Sequence, residues 1–207
     1  MTPRSPGVSR AGAVGAAAVA AALWPSSAEA HLVTTGLGPI YDGISHVLMS
    51  PDDLLPIIVM GFLAGLNGRQ ASRRVLFAVT VAWLAGGLAG FAAGQAHLPK
   101  AITTASFLVL GGLTAADLRL SPRVVTGVAM VVGVLHGWLN GVGIAESQRE
   151  AMGLVGIGAV TFVVVALVSA FVVSLRPLWA RIAIRVAGSW VAAIGLLMLG
   201  WSLRGAV

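Results

Sequence analysis

The sequence contains no cysteine, only one tyrosine, and charged residues at only 10% of positions. Without cysteine there can be no disulfide, no zinc finger and no thiolate site, so any metal must be held by nitrogen and oxygen. So little charge over 207 residues, with 57% hydrophobic residues and a mean hydropathy of +0.94, excludes an ordinary soluble domain. The chain reads instead as all-α: a polytopic membrane helix bundle. An ATP-binding loop is also missing, as is a serine nucleophile set beside a base. Ser45 adjoins His46, but sequence neighbours on a helix do not face each other. No enzyme is therefore expected, a metal-dependent hydrolase or oxidase being the remote alternative. The net charge of +6 comes from arginines scattered in short loop clusters, which suits orientation in a lipid bilayer and not nucleic-acid binding. What is abundant is glycine, 27 residues, as close helix packing in lipid requires.

Residues 1–30 read as a secretory signal peptide. Arg4 and Arg10 form a basic start, an Ala-rich apolar run extends to Trp24, and Ala28-Glu29-Ala30 is an A-x-A cleavage site. The alternative is an uncleaved first span, but the run is shorter than the roughly 20 residues a span needs. Cleavage after Ala30 makes His31 the mature N-terminus. Residues 31–207 then read as one transmembrane domain of six spans, at about 53–68, 73–94, 101–118, 123–144, 151–175 and 181–203, each bounded by charges, Pro or Gly. Gly36 to Ser50 is amphipathic and too short to cross, so it reads as an interfacial or re-entrant helix on the outer face. With the N-terminus outside, the inner loops carry Arg69, Arg73, Arg74, Arg119, Arg123, Arg176, Arg181 and Arg185, against Lys100, Arg149 and Arg204 outside. This asymmetry predicts that both termini are periplasmic in a bacterial inner membrane. Trp83, Trp138, Trp179, Trp190 and Trp201 fall on several spans; those near span ends read as interface anchors, and none is assigned any chemistry. A short echo between Ala64-Gly65-Leu66-Asn67-Gly68 and Gly137-Trp138-Leu139-Asn140-Gly141 is too brief to establish an inverted repeat.

Against this apolar background two polar pairs stand out. His136 and Asn140 lie one helical turn apart inside a span, in its outer half, where an ionisable group is costly unless it is partnered or faces water. Asp42 and His46 have the same spacing and share a helix face. Imidazole, carboxylate and amide oxygen are the ligand types expected for nickel, cobalt, copper or zinc. An N-terminal His31 would add an amine and an imidazole together. The candidate metal ligands are accordingly His31, Asp42, His46, His136 and Asn140, with Asp42, His46 and His136 expected to form one site. The structural alternatives are a helix cap for Asp42 and His46, and an interhelical hydrogen bond to a Ser, Thr or carbonyl for His136. Asp52 and Asp53, after Ser50-Pro51, read as first-turn acids that favour a helix N-terminus. His97, Glu146 and Glu150 read as solvated loop residues. Asp117 reads as an ion-pair partner for Arg119 or Arg123.

The segments Gly38-Pro39-Ile40-Tyr41-Asp42-Gly43-Ile44-Ser45-His46, Pro51-Asp52-Asp53-Leu54-Leu55-Pro56 and Leu135-His136-Gly137-Trp138-Leu139-Asn140-Gly141, with a signal peptide ending just before His31, resemble the HupE/UreJ family of small bacterial membrane proteins. Better-known members carry a His-Pro-rich stretch ending in adjacent Asp and His. Here Asp42 and His46 are separated by three residues and no Pro follows His31, so the chain resembles a divergent branch. The resemblance implies nickel uptake for hydrogenase or urease. The expected function is therefore a permease for a divalent transition-metal ion, nickel or cobalt, with a His/Asp capture site on the periplasmic side. The alternative is a membrane-anchored metal-binding or metalloenzyme-assembly protein that transports nothing. Expected partners are the bilayer, the metal ion and hydrogenase or urease maturation proteins, with a homo-oligomer left open.

Overall fold

The computed structural model describes residues 34–94, 98 and 100–204. The signal segment, His31 and His97 lie outside the described residues. Among those described there are seven helices and no strand. They are α1 (Pro39–Met49), α2 (Pro51–Leu66), α3 (Arg69–Ala93), α4 (Lys100–Ala116), α5 (Pro122–Glu146), α6 (Gly153–Ser174) and α7 (Leu178–Arg204).

The break between α1 and α2 follows from Ser50-Pro51. A proline disfavours helical geometry in the residue before it, and Ser50 is extended at φ −100° and ψ 102°. Pro51 then opens α2, where its missing N–H is harmless. The two helices meet at a bend of 76°. The expected amphipathic helix before the first span is thus α1. The expected span 53–68 is α2, whose 16 residues cover about 24 Å at about 1.5 Å each, short of a hydrocarbon core of about 30 Å. It becomes long enough only together with α1. Pro56 lies within α2, past its first turn.

Four helices, α3, α5, α6 and α7, are each long and apolar enough to cross a membrane. They correspond to the expected spans 73–94, 123–144, 151–175 and 181–203. The expected span 101–118 is the shorter apolar helix α4.

Glycine sets the packing. Gly86 and Gly90 of α3 lie against the backbone of Val134 and Trp138 in α5, and Gly137 and Gly141 of α5 lie against that of Trp83 and Gly87 in α3. A Cβ at any of these four positions would collide with main chain on the other helix. Small residues four apart let two helices approach this closely in lipid, where no hydrophobic force drives them together. The same device joins α2 to α6 through Gly61 and Gly65, and α4 to α7 through Gly111, Gly188 and Gly195. At the interface of α1 and α6, Gly43 lies against Gly153 and Gly156 against Ile40.

Hydrogen bonds fix which turns share an end of the bundle. The Asn67 side chain, after α2, accepts from the Leu120 amide before α5, at 2.8 Å. Arg181, at the start of α7, donates to Asp117, just after α4, at 2.7 and 2.9 Å. The guanidinium partner of Asp117 is therefore Arg181, not Arg119 or Arg123. At the opposite end Asp42 of α1 meets Arg149, which precedes α6.

Candidate functional site

Polar side chains of the interior converge on Asp53. Its position follows from helix periodicity: Asp53, Pro56, Ile57, Met60, Gly61 and Ala64 form the buried stripe of α2, with Asp53 at its head. Asp52, one residue earlier, is exposed. The reading of both acids as first-turn residues holds for their helix position, but Asp53 points inward, 5% exposed. A buried carboxylate must be partnered. Asp53 Oδ1 lies 3.2 Å from His136 Nδ1, and Oδ2 lies 2.9 Å from the Asn140 amide nitrogen and 3.4 Å from His46 Nε2.

Each partner is held from behind. The Trp83 indole N–H donates to Asn140 Oδ1 at 3.0 Å. Since indole can only donate, it fixes the amide so that Asn140 turns its NH2 to Asp53 and has its oxygen occupied. Trp83 also lies beside the His136 ring, centroids 5.4 Å apart. It is fully buried and therefore not an interface anchor. Ser106 of α4 lies 2.9 Å from His136 Nε2. His46 Nδ1 is 3.5 Å from the Ser50 hydroxyl. Five helices thus supply the cluster: α1 gives His46, α2 Asp53, α3 Trp83, α4 Ser106, and α5 His136 and Asn140.

Of the residues singled out by sequence, His46, His136 and Asn140 come together. Asp42 does not join them. Its carboxylate accepts from the Thr35 amide at 2.6 Å and hydroxyl at 2.7 Å, and faces Arg149 at 3.5 Å. The expectation of a single site containing Asp42, His46 and His136 is corrected accordingly. A side chain four residues from His46 shares its face only roughly, and α1 presents Asp42 to the loop before it and to Arg149. There Asp42 lines a cleft of about 450 Å³ with Thr34, Gly38, Ile144, Arg149 and Glu150, and the buried cluster does not border this cleft.

Sequence reasoning missed Asp53, Trp83 and Ser106. The signal for Asp53 was its place in the apolar stripe. Ser106 has the same signal, in register with buried Phe107, Leu110 and Thr114 on α4. Trp83 gave none beyond its position mid-helix.

Among the described residues, no group of three or more His, Cys, Asp or Glu is arranged to hold a metal ion as it stands. The cluster is closed on itself by polar contacts. Yet the Asp53–imidazole separations of 3.2 and 3.4 Å are close to those between neighbouring donors on one ion, about 3.0–3.4 Å for bonds of about 2.1 Å.

Residues 19–198 match the family described as HupE / UreJ protein. Among curated proteins, Protein HupE of Rhizobium leguminosarum bv. viciae is 26% identical over 182 residues, covering 87% of this chain and 94% of that protein. No solved structure matches. The family match, over most of a chain whose apolar helices make it a multi-pass membrane protein, shows that it belongs to the HupE/UreJ family.

Proposed function

We propose that this chain is an inner-membrane permease for a divalent transition-metal ion, nickel or cobalt, and that His46, Asp53 and His136 are the residues that bind it. The observation that carries this reading is the buried carboxylate set between two imidazoles, with its remaining capacity met by Asn140. Membership of a family associated with nickel and cobalt transport supports it, and that family comprises metal-transport or accessory proteins, not known enzymes. Copper and zinc have the same ligand preferences and are the competing ions.

In this reading the Asp42 end is periplasmic. His31, freed by signal cleavage, and Asp42 at the cleft would meet the hydrated ion first. His46, with its side chain 15% exposed, would pass the ion inward to Asp53 and His136. The membrane potential then favours entry of a cation. The arginine-rich turns after α2, α4 and α6 would face the cytoplasm, with both termini outside. Reporter fusions at Val207 should behave as periplasmic and those between Arg176 and Arg185 as cytoplasmic. Mass spectrometry should find His31 first.

The deciding experiment is accumulation of 63Ni2+ or 57Co2+ by cells producing the protein, against an Asp53→Asn variant. Uptake by wild type alone supports transport. Metal bound by the purified protein without uptake favours the second reading, a membrane-anchored metal-binding or assembly protein. One observation speaks for that reading: Asp117, beyond the inner end of α4, is held by Arg181 and so offers an ion no ready exit ligand.

A further inference from the structure

Ser106 decides which nitrogen of His136 faces Asp53. A serine hydroxyl has one hydrogen to give. The Ser106 oxygen lies 2.6 Å from the Thr103 carbonyl oxygen, which can only accept, so the hydrogen goes there. Toward His136 Nε2, at 2.9 Å, Ser106 is left as an acceptor, and Nε2 must carry the ring hydrogen. Neutral imidazole has a single N–H. In the neutral ring Nδ1 is then the nitrogen with the free lone pair, and it faces Asp53 Oδ1 at 3.2 Å; in the protonated ring Nδ1 carries a hydrogen that pairs with Asp53. Two lone pairs brought that close call for a shared positive charge, either a proton on Nδ1 or a metal ion bound to both atoms from one side.

We propose that Ser106, anchored on Thr103, is a positioning residue that fixes the His136 tautomer, so that the Nδ1 lone pair and Asp53 Oδ1 together receive the metal ion. The proposal rests on the metal-binding reading above. Hydrogen bonds to the far nitrogen of a ligating histidine set its tautomer and orientation in metal sites generally. Without Ser106, the hydrogen would move to Nδ1 and be donated to Asp53. That neutral pairing would put a hydrogen where the ion has to go and turn the free lone pair of Nε2 toward α4.

The test uses the full mature protein in lipid nanodiscs, labelled with 15N-histidine, with Zn2+ as a diamagnetic probe. His136→Gln assigns the ring signals. In wild type, Nε2 should be protonated and the Nδ1 resonance should shift on adding Zn2+. In Ser106→Ala the hydrogen should appear on Nδ1, and Zn2+ affinity should fall about 10–100-fold. Ser106→Thr, which keeps the hydroxyl, should restore the wild-type pattern. A metal-free wild-type His136 with hydrogen on Nδ1 at neutral pH, whether or not Nε2 also carries one, overturns the proposal, and this reading needs no variant to fold. An unchanged tautomer in Ser106→Ala overturns it as well. If wild type shows the expected tautomer but no Zn2+ response at Nδ1, the metal-receiving half of the proposal is overturned. Failure to bind Zn2+, nickel or cobalt anywhere overturns the underlying reading instead.

Discussion

The two ends of this bundle each hold an acid against a base, and the bases differ. At one end the Asp117 carboxylate takes two hydrogen bonds from the Arg181 guanidinium, a side chain 41% exposed. At the other, Asp53 is buried between His46 and His136. Arginine is always charged and has no lone pair to offer, so the Asp117 pair can only be a clamp joining α4 to α7. Imidazole can donate, accept or ligate a metal. The same type of side chain therefore staples helices at one end and, at the other, stands among groups that could exchange a proton or hold a cation.

Replacing Asp53 tests this contrast most severely. Asp53→Asn keeps the size and removes the charge, and metal accumulation should be abolished. Asp53→Ala should in addition destabilise the fold, by about 1–3 kcal/mol for each buried polar partner left unsatisfied. A thermal melt in detergent separates the two effects. Retained uptake in Asp53→Asn would remove Asp53 from the ion path.

The imidazoles come next. His46→Ala and His136→Ala should each abolish measurable binding in isothermal titration, whereas His97→Ala should leave it nearly intact. Equal binding by wild type and His136→Ala would leave that histidine a structural strut between α5 and α4. Asn140 donates to Asp53 Oδ2 and accepts from Trp83, which suits it to holding Asp53 in place. Its replacement by Ala should weaken binding by about 10–100-fold, the usual cost of losing a group that orients a ligand. Complete loss would instead show that its oxygen reaches the ion after breaking from Trp83.

The smallest effect is expected at the arginine end. Arg181→Ala should cost about 1 kcal/mol, the upper end for a partly exposed ion pair with bidentate geometry, and leave metal affinity unchanged. The Arg181 hydrogen bond, more than the nearby charges of Arg185 and Arg119, holds the Asp117 carboxyl below its ordinary value of 3.8. A depressed carboxyl contributes its stability above its unfolded pKa and loses it as pH falls through the folded one. Melting temperature should therefore differ between wild type and Arg181→Ala at neutral pH and converge in strong acid. A change in metal affinity in this variant would couple the two ends.

Much of the fold was legible because apolar runs, Pro, Gly and arginine positions report helix limits directly. Ser50-Pro51 and Asn67-Gly68 marked the turns on either side of α2, and Ser121-Pro122 the start of α5. His136 was legible because an ionisable residue stands out in a long apolar run. Asp53 was not, since it lies beside Asp52 in a helix-initiating Ser-Pro-Asp-Asp context that explains both acids equally well. Only the phase of the stripe through Pro56, Ile57 and Met60 tells them apart.

By itself the sequence determined a membrane bundle of apolar helices, the family, and the presence of histidines near one end. Those properties are local: they depend on composition, on chain breaks and on residues near in sequence. The tertiary structure alone decided that His46, Asp53 and His136 meet, that Asp42 leaves them for Thr35 and Arg149, and that Trp83 and Ser106 fix the orientation of Asn140 and His136. Apart from His46 with Asp53 and Asp42 with Thr35, each seven positions apart, these contacts join residues 30 to 107 positions apart. They depend on how closely the glycine faces of α3 and α5 approach, which no run of neighbouring residues encodes, and on the angle at which α1 and α2 meet across the Ser50-Pro51 break.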